Sequence, residues 1–237
     1  MNRRKIKHMA MIDLIDTLCL DRELNDEEYE IIRSYSHSTD WRVRMAVAEN
    51  LGIVHTSERT VKLLKKLSRD RNEMVRIQAV KSMGSRGDAS CMALLESKLG
   101  SRSFITRGYA GLALAELTER LGLDKAALKA KLSPLASSDE SEWVRVNHNC
   151  ALFLLGEDQA LDKLLDGLKS EDRRVIKVSA SCLDLCIEKD ASIERRIKEY
   201  MEANFSTGTE EYDRMMADVM EDELADMLSE EMNKNSR

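Results

Sequence analysis

The chain has little of what interrupts helices and little of what builds most catalytic or ligand sites. One proline and ten glycines among 237 residues exclude collagen-like and Pro/Gly-rich disordered classes. Aromatics make up 4%, sparse for a groove that stacks bases. Histidine occurs only at positions 8, 37, 55 and 148, and the five cysteines are scattered, without zinc-type spacing. No HExxH, phosphate-cradling Gly-rich loop, GxSxG or CxxC pair is present, so no catalytic residue, metal or cofactor is expected. No window approaches eighteen uncharged apolar residues, which argues against a membrane span. The basic start, Met1 to His8, runs into Asp13 and Asp16 instead of a long apolar stretch, so no signal peptide is expected. Reduced thiols and a cytoplasmic location follow as expectations.

What is present is a helix-forming composition. Hydrophobic residues reach 43% and charged residues 34%, with Ala, Leu, Met, Glu, Lys and Arg dominant, which predicts an all-α protein. The net charge is −6 but unevenly spread. Residues 210–237 hold ten acids against Arg214, Lys234 and Arg237, a net of −7, whereas residues 40–120 carry fifteen bases and nine acids, a net of +6.

A stretch recurs along the chain. Asp40-Trp41-Arg42-Val43-Arg44 is followed by Asn72 to Arg76, and three looser copies come after them. Aligning on the apolar–basic pair gives Arg44, Arg76, Arg107, Arg145 and Lys177, at spacings of 32, 31, 38 and 32. Four residues before the four arginines stand Asp40, Asn72, Ser103 and Ser141, all good N-caps. The fifth copy has Arg173 there with Asp172 one residue earlier, so its cap is expected to be shifted or weaker. Three residues after the basic positions come Val47, Ala79, Ala110, His148 and Ala180. Gly52, Gly84, Gly122 and Gly156 are expected as left-handed C-caps.

Apolar stripes between these copies predict partner helices through Val61/Leu64/Leu67, Met92/Leu95/Leu99, Leu128/Leu132/Leu135 and Leu161/Leu164/Leu168. Pro134 is expected to kink or end the third. Residues 3–20 read as a first helix, Asn25 as the cap of a second, and Ala191–Phe205 as a last one. Five helix pairs, each too small to bury its own face, predict a solenoid over residues 1–205. Ser206-Thr207-Gly208-Thr209 reads as a linker to an acidic, Met-rich helix over 210–231, the second unit being 206–237.

The pattern Asp-x-x-Val-Arg-x-x-Val-Ala…Leu-Gly at residues 40–52 resembles the HEAT-repeat superfamily, in particular the short HEAT-like repeats also found in phycobilisome bilin lyases. The resemblance covers about residues 25–190. It implies a right-handed α-solenoid of about five helix pairs with terminal capping helices, and mostly scaffolding functions.

Arg44, Arg76, Arg107 and Arg145 could form a stripe that meets an acidic peptide or phosphates, or each could brace its neighbouring repeat, the usual role in proteins that the chain resembles. Trp41 and Trp143 are candidate anchors. His148 and Asn149 depart from the repeat pattern: they form either a polar pocket beside Trp143 or hydrogen-bonded core. Cys182 and Cys186, i and i+4, read as core thiols.

The expected function is a non-enzymatic interaction scaffold whose concave face binds a protein segment through Trp41, Arg44, Arg76, Arg107, Trp143, Arg145, His148 and Asn149. The alternative is a nucleic-acid-binding enzyme similar in architecture to the HEAT-like alkylpurine DNA glycosylases, although a pI near 5.4 argues against nucleic acid. Bilin lyase activity is a third possibility on repeat similarity alone. The acidic helix is expected either to dock on the basic groove of its own or a neighbouring chain, or to cap the end of the stack.

Overall fold

The computed structural model describes residues 3–205, and the acidic Met-rich segment over 206–237 lies outside them. Twelve α-helices and two 3-10 turns make up the described residues, with no strand among them. None of these helices is long and apolar enough to cross a membrane. Packing divides the chain into two compact units, with the boundary between Lys125 and Ala126.

The first unit contains α1 (Arg3–Leu18), α2 (Asp26–Tyr35), α3 (Trp41–Asn50), α4 (Glu58–Leu67), α5 (Glu73–Arg86), α6 (Met92–Lys98) and α7 (Phe104–Leu121). One layer runs α1, α3, α5, α7, each against the next, while α2, α4 and α6 lie against α3, α5 and α7. The core between the layers includes Ile15, Ile32, Leu51, Leu64, Ile77, Met83, Leu95 and Leu114, all fully buried. In the second unit α8 (Lys125–Ser138) is followed by α9 (Glu142–Leu154), α10 (Ala160–Gly167), α11 (Arg173–Lys189) and α12 (Glu194–Asn204). Here α9 packs on α11, and α10 packs on both.

The helix starts follow from local chemistry. Asn25 and Glu28 form a reciprocal capping box on α2, and Arg22 grips the Glu28 carboxylate at 2.6 and 2.8 Å. The Arg22 hydrogen bond and the Asn25 amide pull the Glu28 carboxyl from 4.5 down to about 2. Asp40, Asn72 and Ser103 cap α3, α5 and α7 through their side chains. Ser141 occupies the cap of α9 but its hydroxyl makes no cap bond.

The structure adds a recurring turn two residues ahead of each cap. Ser38, Asp70, Ser101, Asp139 and Ser170 accept, through their side chains, the amides of Asp40, Asn72, Ser103, Ser141 and Asp172 at 2.8–3.2 Å. These are Asx and Ser/Thr turns, and they orient the chain entering each helix.

Four sequence expectations need correction. Gly122 and Gly156 adopt left-handed φ of 63° and 90°, but Gly52 and Gly84 do not. Gly84 lies inside α5, where a Cβ would stand 2.8 Å from the Ala113 Cα on α7. A Cβ on Gly52 would stand 2.7 Å from the Ser82 hydroxyl on α5. Both glycines permit close helix approach; α3 does stop just before Gly52, at Asn50, but without a left-handed cap, whereas Gly84 does not end α5. In the fifth repeat Asp172 is the cap, so the position equivalent to Arg44 is Ile176, and Lys177 stands one residue out of register. Of the two outcomes expected at Pro134, a kink or an end, the end does not occur, since α8 continues to Ser138. Only the last turn follows the proline, and the Ser138 hydroxyl and the Asn149 amide satisfy the carbonyls of Pro134 and Ala136 there. Finally, the apolar stripes of α6 and α8 are narrower than expected: Met92 and Leu135 are only half-buried, while Leu95, Leu99, Leu128 and Leu132 are core.

Gly167 repeats the close-approach device in the second unit, since a Cβ there would collide with the Ser179 hydroxyl on α11. Ser179 is fully buried and its hydroxyl has no hydrogen-bond partner among the described residues. A buried unbonded hydroxyl costs about 1–3 kcal/mol. Ser179→Ala is therefore expected to raise unfolding stability by about 1 kcal/mol in urea titration; a loss of similar size would mean the hydroxyl is bonded in solution.

Candidate functional site

The four arginines share one grip. Each extends back along its own helix entry and donates from Nη1 to the carbonyl six residues earlier: Arg44 to Ser38 at 2.8 Å, Arg76 to Asp70 at 2.9 Å, Arg107 to Ser101 at 3.0 Å and Arg145 to Asp139 at 2.7 Å. The residue that caps the turn with its side chain thus also receives the arginine on its carbonyl. The grip uses only one end of the guanidinium, leaving the Nε–Nη2 edge for a second task.

That edge is used differently at different rungs. At Arg44 it is closed by the Asp70 carboxylate, with Nε–Oδ2 and Nη2–Oδ1 both at 2.7 Å. The pair is bidentate, and Arg44 is only 4% exposed. Burial by itself would raise the Asp70 carboxyl, yet the Arg44 and Asn72 hydrogen bonds and the nearby Arg44 and Arg71 charges together hold it below 3.8. Arg107 is likewise buried. Arg76 is half-buried, and all its hydrogen bonds to described residues come from Nη1, to the carbonyls of Asp70 and Arg71.

Arg145 opens onto a cleft of about 450 Å³ between α8, α9 and α10, lined also by Glu142, Asn149, Lys163 and Asp166. Two acids face two bases there, so its local charge is balanced. Asn149 donates to the carbonyls of Arg145 and Ala136 at 2.8 and 3.3 Å, which ties α9 to the end of α8 and forms the cleft wall.

The remaining predicted residues separate by orientation. Trp41, the first residue of α3, is half-exposed with the Arg42 guanidinium 5.1 Å above its ring. Trp143, in contrast, is 4% exposed and His148 is fully buried; both point into the core beside Asn147, whose amide donates to the Trp143 carbonyl at 2.8 Å. The reason is register. Trp41 follows its cap by one residue and Trp143 by two, about 100° further round the helix. The structure therefore groups Arg145 with Asn149 on the cleft and places Trp143 and His148 beneath it.

All five cysteines are free and buried. Cys150 donates to the Cys182 carbonyl at 3.7 Å. Contact with Cys182, then burial, push the Cys150 thiol well above the usual range against a lowering contact with Cys186, while contact with Cys150 and burial raise the Cys186 thiol. Such thiols are inert at neutral pH. No group of three or more His, Cys, Asp or Glu among the described residues is placed to hold a metal ion.

The feature that sequence reasoning missed is the turn residue two positions before each cap. Its signal was present as Ser-Thr-Asp, Asp-Arg-Asn, Ser-Arg-Ser, Asp-Glu-Ser and Ser-Glu-Asp at residues 38, 70, 101, 139 and 170. Comparison with protein-family models and with curated proteins finds no match.

Proposed function

We propose that the protein is a non-enzymatic interaction scaffold, a right-handed HEAT-like solenoid of about five helix pairs that holds a protein segment along the helices carrying the arginines. The carrying observation is the unequal use of the rungs. One end of each guanidinium is enough to brace its own repeat, and at Arg44 the other edge is closed as well. At Arg76 and Arg145 the Nε–Nη2 edge makes no hydrogen bond to a described residue, which suits recognition of an acceptor from outside. Half-exposed Trp41 supplies an aromatic anchor of the type found at interface centres. The acidic segment over 210–231 is a candidate ligand for the basic first unit, in its own or a second chain.

The test is affinity capture with the full chain at about 50 mM and 500 mM salt, because exposed charge contacts weaken as the screening length shrinks. We expect one defined protein to be retained at low salt and lost when Arg76→Gln and Arg145→Gln are combined. Equal recovery by wild type and the double variant would overturn the reading. So would nucleic acid as the retained species, in a gel shift at low salt, which favours the glycosylase-like alternative.

A further inference from the structure

The repeat supplies its own template for what should sit on Arg76. The partner of Arg44 is Asp70, the turn residue of the following repeat. The turn residue that follows Arg76 by the same logic is Ser101, which makes the same turn to the Ser103 amide at 3.2 Å and receives the Arg107 grip on its carbonyl. Its backbone role is identical, but its side chain carries no charge. The surroundings of Arg76 are basic as well. Lys98, half-buried at the end of α6, donates to the Ser68 carbonyl at 3.0 Å. Burial, then the Arg76 and Arg69 charges, lower its pKa from 10.5. Three cations thus share one locality where the equivalent place one repeat earlier holds a carboxylate.

We propose that Arg76 and Lys98 form a carboxylate-recognition site in which an Asp or Glu of an incoming acidic segment takes, against the Nε–Nη2 edge of Arg76, the place that Asp70 takes against Arg44. The bidentate edge selects the planar, two-oxygen group, and Lys98 adds a second, less directional charge. The inference rests on the scaffold reading for its ligand being a protein segment. The occupant is the chain's own acidic segment, residues 210–231, whose ten acids against Arg214 complement the net +6 of residues 40–120; a separate acidic protein is the outcome that the test distinguishes from it.

The decisive variant is Ser101→Asp. The fold already accepts aspartate at this turn position in Asp70 and Asp139, so the change supplies Arg76 with an internal carboxylate without altering the backbone. The full chain is titrated into a fluorescent synthetic peptide with the sequence of residues 210–231, followed by anisotropy at low salt. We expect Ser101→Asp to weaken binding roughly 10- to 100-fold, as befits one charge-assisted bidentate contact, with an equal or higher Tm. Ser101→Asn keeps the turn without the charge and should bind as wild type. Ser133→Asp, on the exposed side of α8, controls for net charge and should also bind as wild type.

Neutralising the acids of 210–231 to Asn and Gln in the full chain separates the sources. Tighter binding of the added peptide identifies the chain's own segment as the resident ligand. Unchanged binding, still sensitive to Ser101→Asp, identifies a separate acidic protein and overturns the assignment to the chain's own segment. Peptide binding that is undetectable in every form, or that Ser101→Asp leaves unaltered, overturns the inference. A partner captured from solution would in that case still leave the scaffold reading standing.

Discussion

Arg44→Ala is expected to destabilise the protein by about 3–5 kcal/mol, the usual cost of removing one member of a buried ion pair. The side chains of Arg44 and Asp70 are 5% and 11% exposed, so solvent screening offers little relief. Two losses coincide in this variant. The Asp70 carboxylate loses both 2.7 Å contacts and retains the Asn72 amide as its hydrogen bond, and the Ser38 carbonyl loses its donor. Urea unfolding of wild type, Arg44→Ala, Asp70→Ala and the double variant would isolate the pairwise part. A cost under about 1 kcal/mol for Arg44→Ala, as for an exposed pair, would contradict a closed rung. The pH dependence has a definite sign. Asp70 is held below 3.8 in the folded state, so its pairing contributes stability that is fully present above 3.8 and fades as pH falls through the lower folded value. The difference between wild type and Arg44→Ala should therefore be constant near neutrality and narrow in strong acid.

Gly84→Ala is expected to cost about 1–3 kcal/mol by overpacking, although alanine in a helix interior would otherwise add about 1 kcal/mol. The new Cβ would stand 2.8 Å from the Ala113 Cα and 2.7 Å from Glu116 Oε2. The glutamate could swing aside, but the Cα is backbone, so α5 and α7 would have to separate. Burial already raises the Glu116 pKa, and displacement of its carboxyl would be felt in the same locality. A larger side chain, as in Gly84→Leu, should prevent the wild-type packing of α5 on α7 altogether. Equal or higher stability of Gly84→Ala in urea titration would mean that the helices have room and that glycine there is dispensable.

The contrast between these two positions explains which parts of the fold were legible in the sequence. N-caps at Asp40, Asn72, Ser103 and Asp172 are local chemistry: the side chain bonds an amide within its own first turn, so residue type and spacing nearly suffice. The all-helical fold follows from composition and periodicity for the same reason. Gly84 is different, because whether a glycine ends a helix or admits a neighbour depends on a helix some thirty residues away. The fifth repeat lost its register because alignment on the basic residue favoured Lys177, whereas the cap at Asp172 sets the geometry. The inward turn of Trp143 came from one residue of helical rotation that the motif did not reveal. Within the candidate site, the arginine positions were visible, but their unequal engagement was not. It depends on whether the next repeat supplies Asp70 or Ser101, two residues that serve equally well as turn formers and so look interchangeable to a local reading.

The arginine grip also limits where the polypeptide tolerates extra length. Each guanidinium spans from its own helix to a carbonyl six positions back, so an insertion between those points would pull the anchor off its acceptor. The connections after Gly122 and Gly156 lie outside any such span, and nothing would contact an added Cβ there. Epitope tags, fluorophores or whole grafted modules placed at those two connections should leave the helices undisturbed. Insertions within residues 38–44 or 70–76 should not.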